Sequence, residues 1–128
     1  RSLHDIAEEM LRSAGCSSVD WTVRVAPGLD ASGRAITADA REVWFELAGG
    51  NTSVRPGLLR GDVLWRMLGR AAAIHAVVGE PVIVFTAARP ERASGGVVLD
   101  RVLADQAAVK AVVDVSSASA LDDLRRVL

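Results

Sequence analysis

The feature that most constrains the fold is a change of hydrophobic period across residues 42–88. Residues 42–48, EVWFELA, alternate as a strand, with Val43, Phe45 and Leu47 on one side and Trp44, Glu46 and Ala48 on the other. Residues 58–78 then switch to helical spacing. Val63, Leu64, Met67, Leu68, Ala71, Ala72, Ile74 and Val78 make a broad apolar face, while Asp62, Arg66 and Arg70 share the other side at i, i+4 spacing, where they can pair. Gly79 and Pro81 stop this helix, and the run PVIVFTAA that follows has no alternation, the mark of a strand buried on both faces. Strand, helix and doubly buried strand in that order demand a parallel, right-handed crossover with the helix against the sheet.

Upstream, residues 2–14 predict an amphipathic helix: Leu3, Ile6, Ala7, Met10, Leu11 and Ala14 share a face, Ser2 caps the start with Asp5 three residues on, and Gly15 suits the end. Residues 19–25 alternate as a half-buried strand, with Val19, Trp21, Val23 and Val25 on one side. APGLDASGR has turn composition, and AITADA is read as a short extended piece before strand 42–48. Connections this short imply an antiparallel meander. Downstream, RPERASGG is a polar loop, 97–106 fits a short helix, 109–115 is a second buried strand, and Ser119 caps a last helix to Leu128. The expected architecture is α/β, a mixed sheet with helices on both faces: an αβββαβ core with an additional C-terminal αβα segment. The 128 residues fit one domain, 1–128, and because the chain opens on Arg1 it is expected to be part of a longer polypeptide.

Composition narrows function by exclusion. Half the residues are hydrophobic, yet no apolar run reaches the roughly 18 residues a membrane span needs, so no membrane is expected. Cys16, the single cysteine, can form no internal disulfide; that fits a reducing, cytoplasmic compartment, and AGCSS has no histidine beside it to make a nucleophile. Fifteen basic against sixteen acidic residues leave a net charge of -1, which disfavours wholesale coating of nucleic acid. Lys110 is the only lysine, so the cations are arginines, residues suited to bidentate grip on phosphate or carboxylate; GC-biased codon use produces the same excess. His4 and His75 stand 71 residues apart, no Gly-x-Ser-x-Gly elbow occurs, and Trp21, Trp44 and Trp65 are too dispersed for a base-stacking platform.

The candidate site therefore centres on Glu46, an acid near the C-terminal end of a central strand, where open α/β sheets place ligands. Its plain alternative is an ion pair with a nearby arginine such as Arg41 or Arg55. The link GGNTSVRPG follows directly; Gly49 and Gly50 allow close approach of a ligand, and Asn51, Thr52, Ser53 and Arg55 add donors. It lacks the Gly-Lys-Ser/Thr ending of a P-loop and the spacing Gly-x-Gly-x-x-Gly, so it is either an anion cradle or a simple turn.

With an acidic strand leading into a crossover helix, residues 2–88 resemble the PD-(D/E)XK nuclease superfamily, the restriction-endonuclease-like fold. In that family an Asp on one strand and Glu-x-Lys on the next hold a divalent metal that polarises water at a phosphodiester. The resemblance implies Glu46 as the acid of Glu-x-Lys and Asp39, or alternatively Asp30, as the preceding aspartate. Glu9 or Glu8 would be the first-helix glutamate of some members. Asp39 and Glu46 would be catalytic, and Asp39, Glu46 and Glu9 would ligate Mg2+ or Mn2+ if the domain is active, with no cofactor otherwise. Arg55, Arg60 and Arg66 would contact nucleic-acid backbone. The departure is Ala48, which stands where the lysine belongs; an arginine brought in from elsewhere could hold phosphate but is a poor proton donor.

Three function classes follow. The first is a nuclease-like domain on DNA or RNA, diverged and catalytically weak or dead. The second is an interaction, oligomerisation or regulatory domain that binds another protein, other domains of its parent chain or a second copy in a homodimer. The third is a small α/β phosphate- or nucleotide-binding enzyme.

Overall fold

A computed structural model of the protein describes residues 2–48, 61–87 and 108–128, with side chains in the second stretch from Trp65 onward. Helix α1 spans Leu3–Ser13, followed by strands β1 (Ser18–Ala26), β2 (Leu29–Ile36) and β3 (Glu42–Ala48). Helix α2 (Gly61–Val78) leads to β4 (Val82–Thr86), and β5 (Val109–Asp114) leads to α3 (Ala120–Val127). The strands form one sheet in the order β1-β2-β3-β4-β5. The first three are antiparallel neighbours, and β3, β4 and β5 run parallel. The chain is thus an α/β protein with a five-stranded mixed sheet, and the helix expected over 97–106 lies outside the described residues. Among the described residues no helix is long and apolar enough to cross a membrane.

Local chemistry explains most of the elements. The Ser2 hydroxyl accepts from the Asp5 N–H at 3.1 Å, satisfying one of the orphan donors at the start of α1, and Gly15 at φ +99° closes its end. Helices α1 and α3 cover one face of the sheet: Leu3, Ala7, Leu11 and Leu124 pack with Phe45, Ile83, Phe85 and Val113. Helix α2 covers the other, placing Met67, Ala71 and Ile74 on Trp44, Ala48, Val82 and Val84. Strand β4 is fully buried along its length, as its unbroken apolar run predicts. Cys16 lies buried in the first core, where desolvation raises its thiol pKa and so opposes a reactive thiolate.

The second strand is a correction. APGLDASGR is not a turn: only Pro27 and Gly28 turn, with Gly28 at φ +81°, and Leu29–Ile36 form β2. Asp30, Ser32 and Gly33 have turn propensity, but pairing with β1 on one side and β3 on the other overrides it. The real β2–β3 turn is residues 37–41, and AITADA is divided between strand and turn.

The β1–β2 hairpin also changes faces midway. Val19, Trp21 and Ala35 join the α1/α3 core, whereas Val23, Val25, Leu29 and Ala31 join the α2 core. The switch falls at Thr22, whose φ of 53° is unusual for a β-branched residue. Beyond Gly33↔Phe45 the regular β2–β3 ladder stops. The outer half of the hairpin thereby wraps toward α2 and carries Asp30 and Ser32 to the end of β3.

Candidate functional site

Glu46 is 2% exposed on a central strand, with β2 and β4 on either side. An isolated carboxylate there would be very costly, so its partners define the site. The Arg70 Nε donates to Glu46 Oε1 at 2.6 Å, and the Ser32 N–H donates to Glu46 Oε2. The Ser32 hydroxyl accepts from the Leu47 N–H at 3.1 Å, so one residue of β2 repairs the ladder with its side chain while its backbone holds the acid. A second Arg70 edge, through Nη2, donates to the Asp30 carbonyl. Arg24 pairs with the Asp30 carboxylate at 2.9 Å. The hydrogen bond to Glu46 raises the Arg70 pKa further, against the opposing effect of desolvation. Arg70 nevertheless keeps 39% of its side chain exposed, so the guanidinium is gripped from within and open from without.

The expected metal triad does not assemble. Asp39 sits in the turn ahead of β3, whereas Glu46 is four residues past Glu42, about 13 Å along an extended strand. That span far exceeds a metal coordination sphere. Asp39 serves its own turn: the Thr37 hydroxyl donates to it at 2.5 Å and the Arg41 Nε at 2.8 Å, while Arg41 Nη2 also donates to the Leu128 carbonyl. Arg41 is therefore committed to Asp39, not to Glu46. Glu9 is exposed on α1, on the opposite face of the sheet from the Glu46–Arg70 pair. Its neighbour Glu8 accepts from the Trp21 indole at 2.6 Å, the main cause of its lowered pKa. Among the described residues no group of three or more His, Cys, Asp or Glu could hold a metal ion. Glu46 has both oxygens occupied, so the residues present do not fit the metal that the nuclease resemblance implies.

Of the expected phosphate contacts, Arg66 is exposed on α2 one turn before Arg70, while Arg55, Arg60 and the glycine-rich link lie outside the described residues. Asp30, the alternative aspartate, is the acid that antiparallel pairing brings beside the end of β3, although its carboxylate turns to Arg24. Sequence reasoning assigned Arg70 only a possible pairing on its own helix. The available signal was an arginine at the buried edge of an otherwise apolar helix, which calls for a buried acid somewhere in the fold.

Asp39 supplies a pH-dependent prediction. Arg41 first, then Thr37, hold its carboxyl at about 2, below the ordinary 3.8. A depressed folded-state pKa stabilises the protein above the unfolded value and is lost as pH falls through the folded one. Asp39→Asn is therefore expected to lower the urea midpoint at neutral pH and to converge on the parent as pH falls from about 4 to about 2. A constant difference across that window would show that Asp39 does not titrate with folding.

Compared with known proteins, the chain matches no family model, no curated protein and no solved structure, so its chemistry rests on the geometry above.

Proposed function

We propose that this chain is a nuclease-like domain that grips nucleic-acid backbone without cutting it, an internal arginine having taken the place of the metal. The observation that carries this reading is the Glu46–Arg70 pair at the end of β3. What supports the resemblance is the succession of the described elements, α-βββ-α-β followed by β5 and α3. The acid at the matching position is spent on a guanidinium and a backbone N–H, which leaves it poorly placed to orient a hydrolytic water.

The same contacts prepare Arg70 to bind an oxyanion. With Nε and one Nη2 proton engaged, Nη1 and the outer Nη2 proton remain to donate outward, the bidentate geometry that phosphate accepts. Because the guanidinium is already fixed, little further rotamer entropy is lost on binding. Arg24, joined to the same cluster through Asp30, and Arg66, one turn away on α2, add exposed cations on either side. Three arginines suit a few successive phosphates, in keeping with a chain of net charge -1.

The test is binding to duplex and single-stranded DNA against salt, with a cleavage assay in magnesium and in manganese. Three phosphate contacts predict a log–log salt slope of about -2.7 on duplex. Arg24→Ala and Arg66→Ala should each flatten that slope by about one. No cleavage is expected with either metal. Undetectable binding at low salt sinks the reading, and cleavage abolished by Glu46→Ala would show instead that the acid is catalytic.

A further inference from the structure

The chain has three tryptophans, and the fold employs two of them. Trp21 stacks on His4, with ring centroids 3.7 Å apart, and donates its indole N–H to Glu8. Trp44 is 6% exposed, donates to Glu42 and lies under the Arg34 guanidinium. Trp65 of α2 is 57% exposed, and its indole has neither an acceptor nor a ring partner among the described residues. A single exposed ring is ordinary; what surrounds this one is not.

One turn on, at the i+4 position, stands Gly69, also exposed. Helical side chains lean toward the N-terminus, so a side chain at position 69 would lie back over Trp65. Glycine there leaves that side of the indole bare. The fold does not require it: Gly69 is not among the glycines of positive φ, and a Cβ added to it would meet no atom within 4 Å. In a helix interior such a glycine is destabilising relative to alanine. The charge beside the ring is of one sign. At 3.6 residues per turn, Arg66 and Arg70 stand about 100° and about 140° round the helix from Trp65, on the same side. Arg66 thus lies between the indole and the guanidinium fixed by Glu46, and no acid occurs on α2 from Trp65 to Val78.

We propose that Trp65 stacks on one unpaired base, in the slot that Gly69 leaves open, while Arg66 and Arg70 hold the adjoining phosphates. The nucleic acid gripped by this domain is then a single strand. This inference rests on the backbone-binding reading above and specifies its substrate. An indole needs the open face of a base. In a duplex those faces lie against neighbouring bases, and only edges and phosphates are offered. An unpaired base can turn onto the ring while arginines follow its backbone, the combination that serves in grooves for single strands. Dispersed tryptophans build no continuous platform, but one ring suffices for one base. Every base has a π-face, so the slot selects for strand state and not for sequence.

Trp65→Ala removes the ring, and Gly69→Leu keeps it but covers it. Both change exposed positions, so neither should lower the urea midpoint or alter the circular dichroism spectrum. An oligo(dT) strand of about ten nucleotides should bind each variant about tenfold more weakly than the parent. Binding to the parent should quench tryptophan fluorescence, and Trp65→Ala should lose that quench. The salt slope should be the same in all three proteins, since no charge is removed. A duplex of equal length, and an abasic strand that keeps the phosphates without bases, should bind all three proteins alike. Unchanged oligo(dT) affinity in the variants, or equal weakening on all three probes, overturns the stacking role and leaves the backbone reading standing. A parent that binds none of the probes at low salt removes both.

Discussion

Arg70→Ala is expected to destabilise the fold by about 2 to 3 kcal/mol, a fall in melting temperature of about 10 °C. The cause is less the lost attraction than the acid left behind. Glu46 has 3% of its side chain exposed, and Ser32 alone cannot offset the desolvation of a carboxylate. The value falls below the roughly 3 to 5 kcal/mol of fully buried pairs because Arg70 keeps 39% of its side chain in water, which screens the pair. The companion variant isolates the mechanism. Glu46→Gln combined with Arg70→Met removes both charges, keeps an acceptor for the Ser32 N–H and fills similar volume. It should recover more than half of the loss, since the bare Asp30 carbonyl is a tolerable residue of the change. Urea unfolding of the parent, Glu46→Gln, Arg70→Met and the double variant closes the cycle, with Arg70→Ala measured beside it. A double variant no more stable than Arg70→Ala would show that the uncompensated Glu46 carboxylate is not the source of the loss.

Gly33→Ala is expected to cost about 3 kcal/mol, although it adds a single methyl group. The new Cβ would overlap the Phe45 ring and lie 2.7 Å from the Asp20 carbonyl oxygen. Neither neighbour can yield. Phe45 is fully buried, edge-on to Trp21 at 5.1 Å and to Phe85 at 5.7 Å, with interplanar angles of 86° and 87°. Asp20 is held in β1 opposite Arg34. Gly33 is therefore required by close approach across three strands and not by a turn, which is also why it sits mid-strand. Phe45→Leu in the Gly33→Ala background should return only part of the loss, because the backbone carbonyl stays in place. Urea midpoints measure both variants; a Gly33→Ala protein within about 1 kcal/mol of the parent would mean that β1 and β3 shift apart easily.

Glu46 illustrates how far sequence reading reaches at such a site. Its place on a strand end and its oddity among apolar neighbours were legible, and so was an arginine as its ordinary partner. The choice among Arg41, Arg55 and Arg70 was not, since nothing local tells how far the chain returns before two side chains meet. The aspartate shows the same limit. Asp39 follows from reading AITADA as the strand before β3; once β2 begins at Leu29, the acid facing the end of β3 is Asp30. An error of one strand boundary moved the expected site to the opposite end of β3.

By itself the sequence determined the elements whose signal is local: the capped helix Leu3–Ser13, the bounds of β3, the end of α2 at Val78 and the fully buried strand β4, whereas β5, expected to be buried as well, lies at the end of the described sheet order with Lys110 exposed. Those signals are local because side-chain direction repeats every two or 3.6 residues, whatever lies across the core. Only the tertiary structure decided that a turn-like stretch is β2, that the hairpin changes faces at Thr22, and that Glu46 meets Ser32 and Arg70, 14 and 24 residues away. Backbone pairing and burial of a charge are energies of the assembled sheet, strong enough to overrule local propensity and absent until distant segments come together.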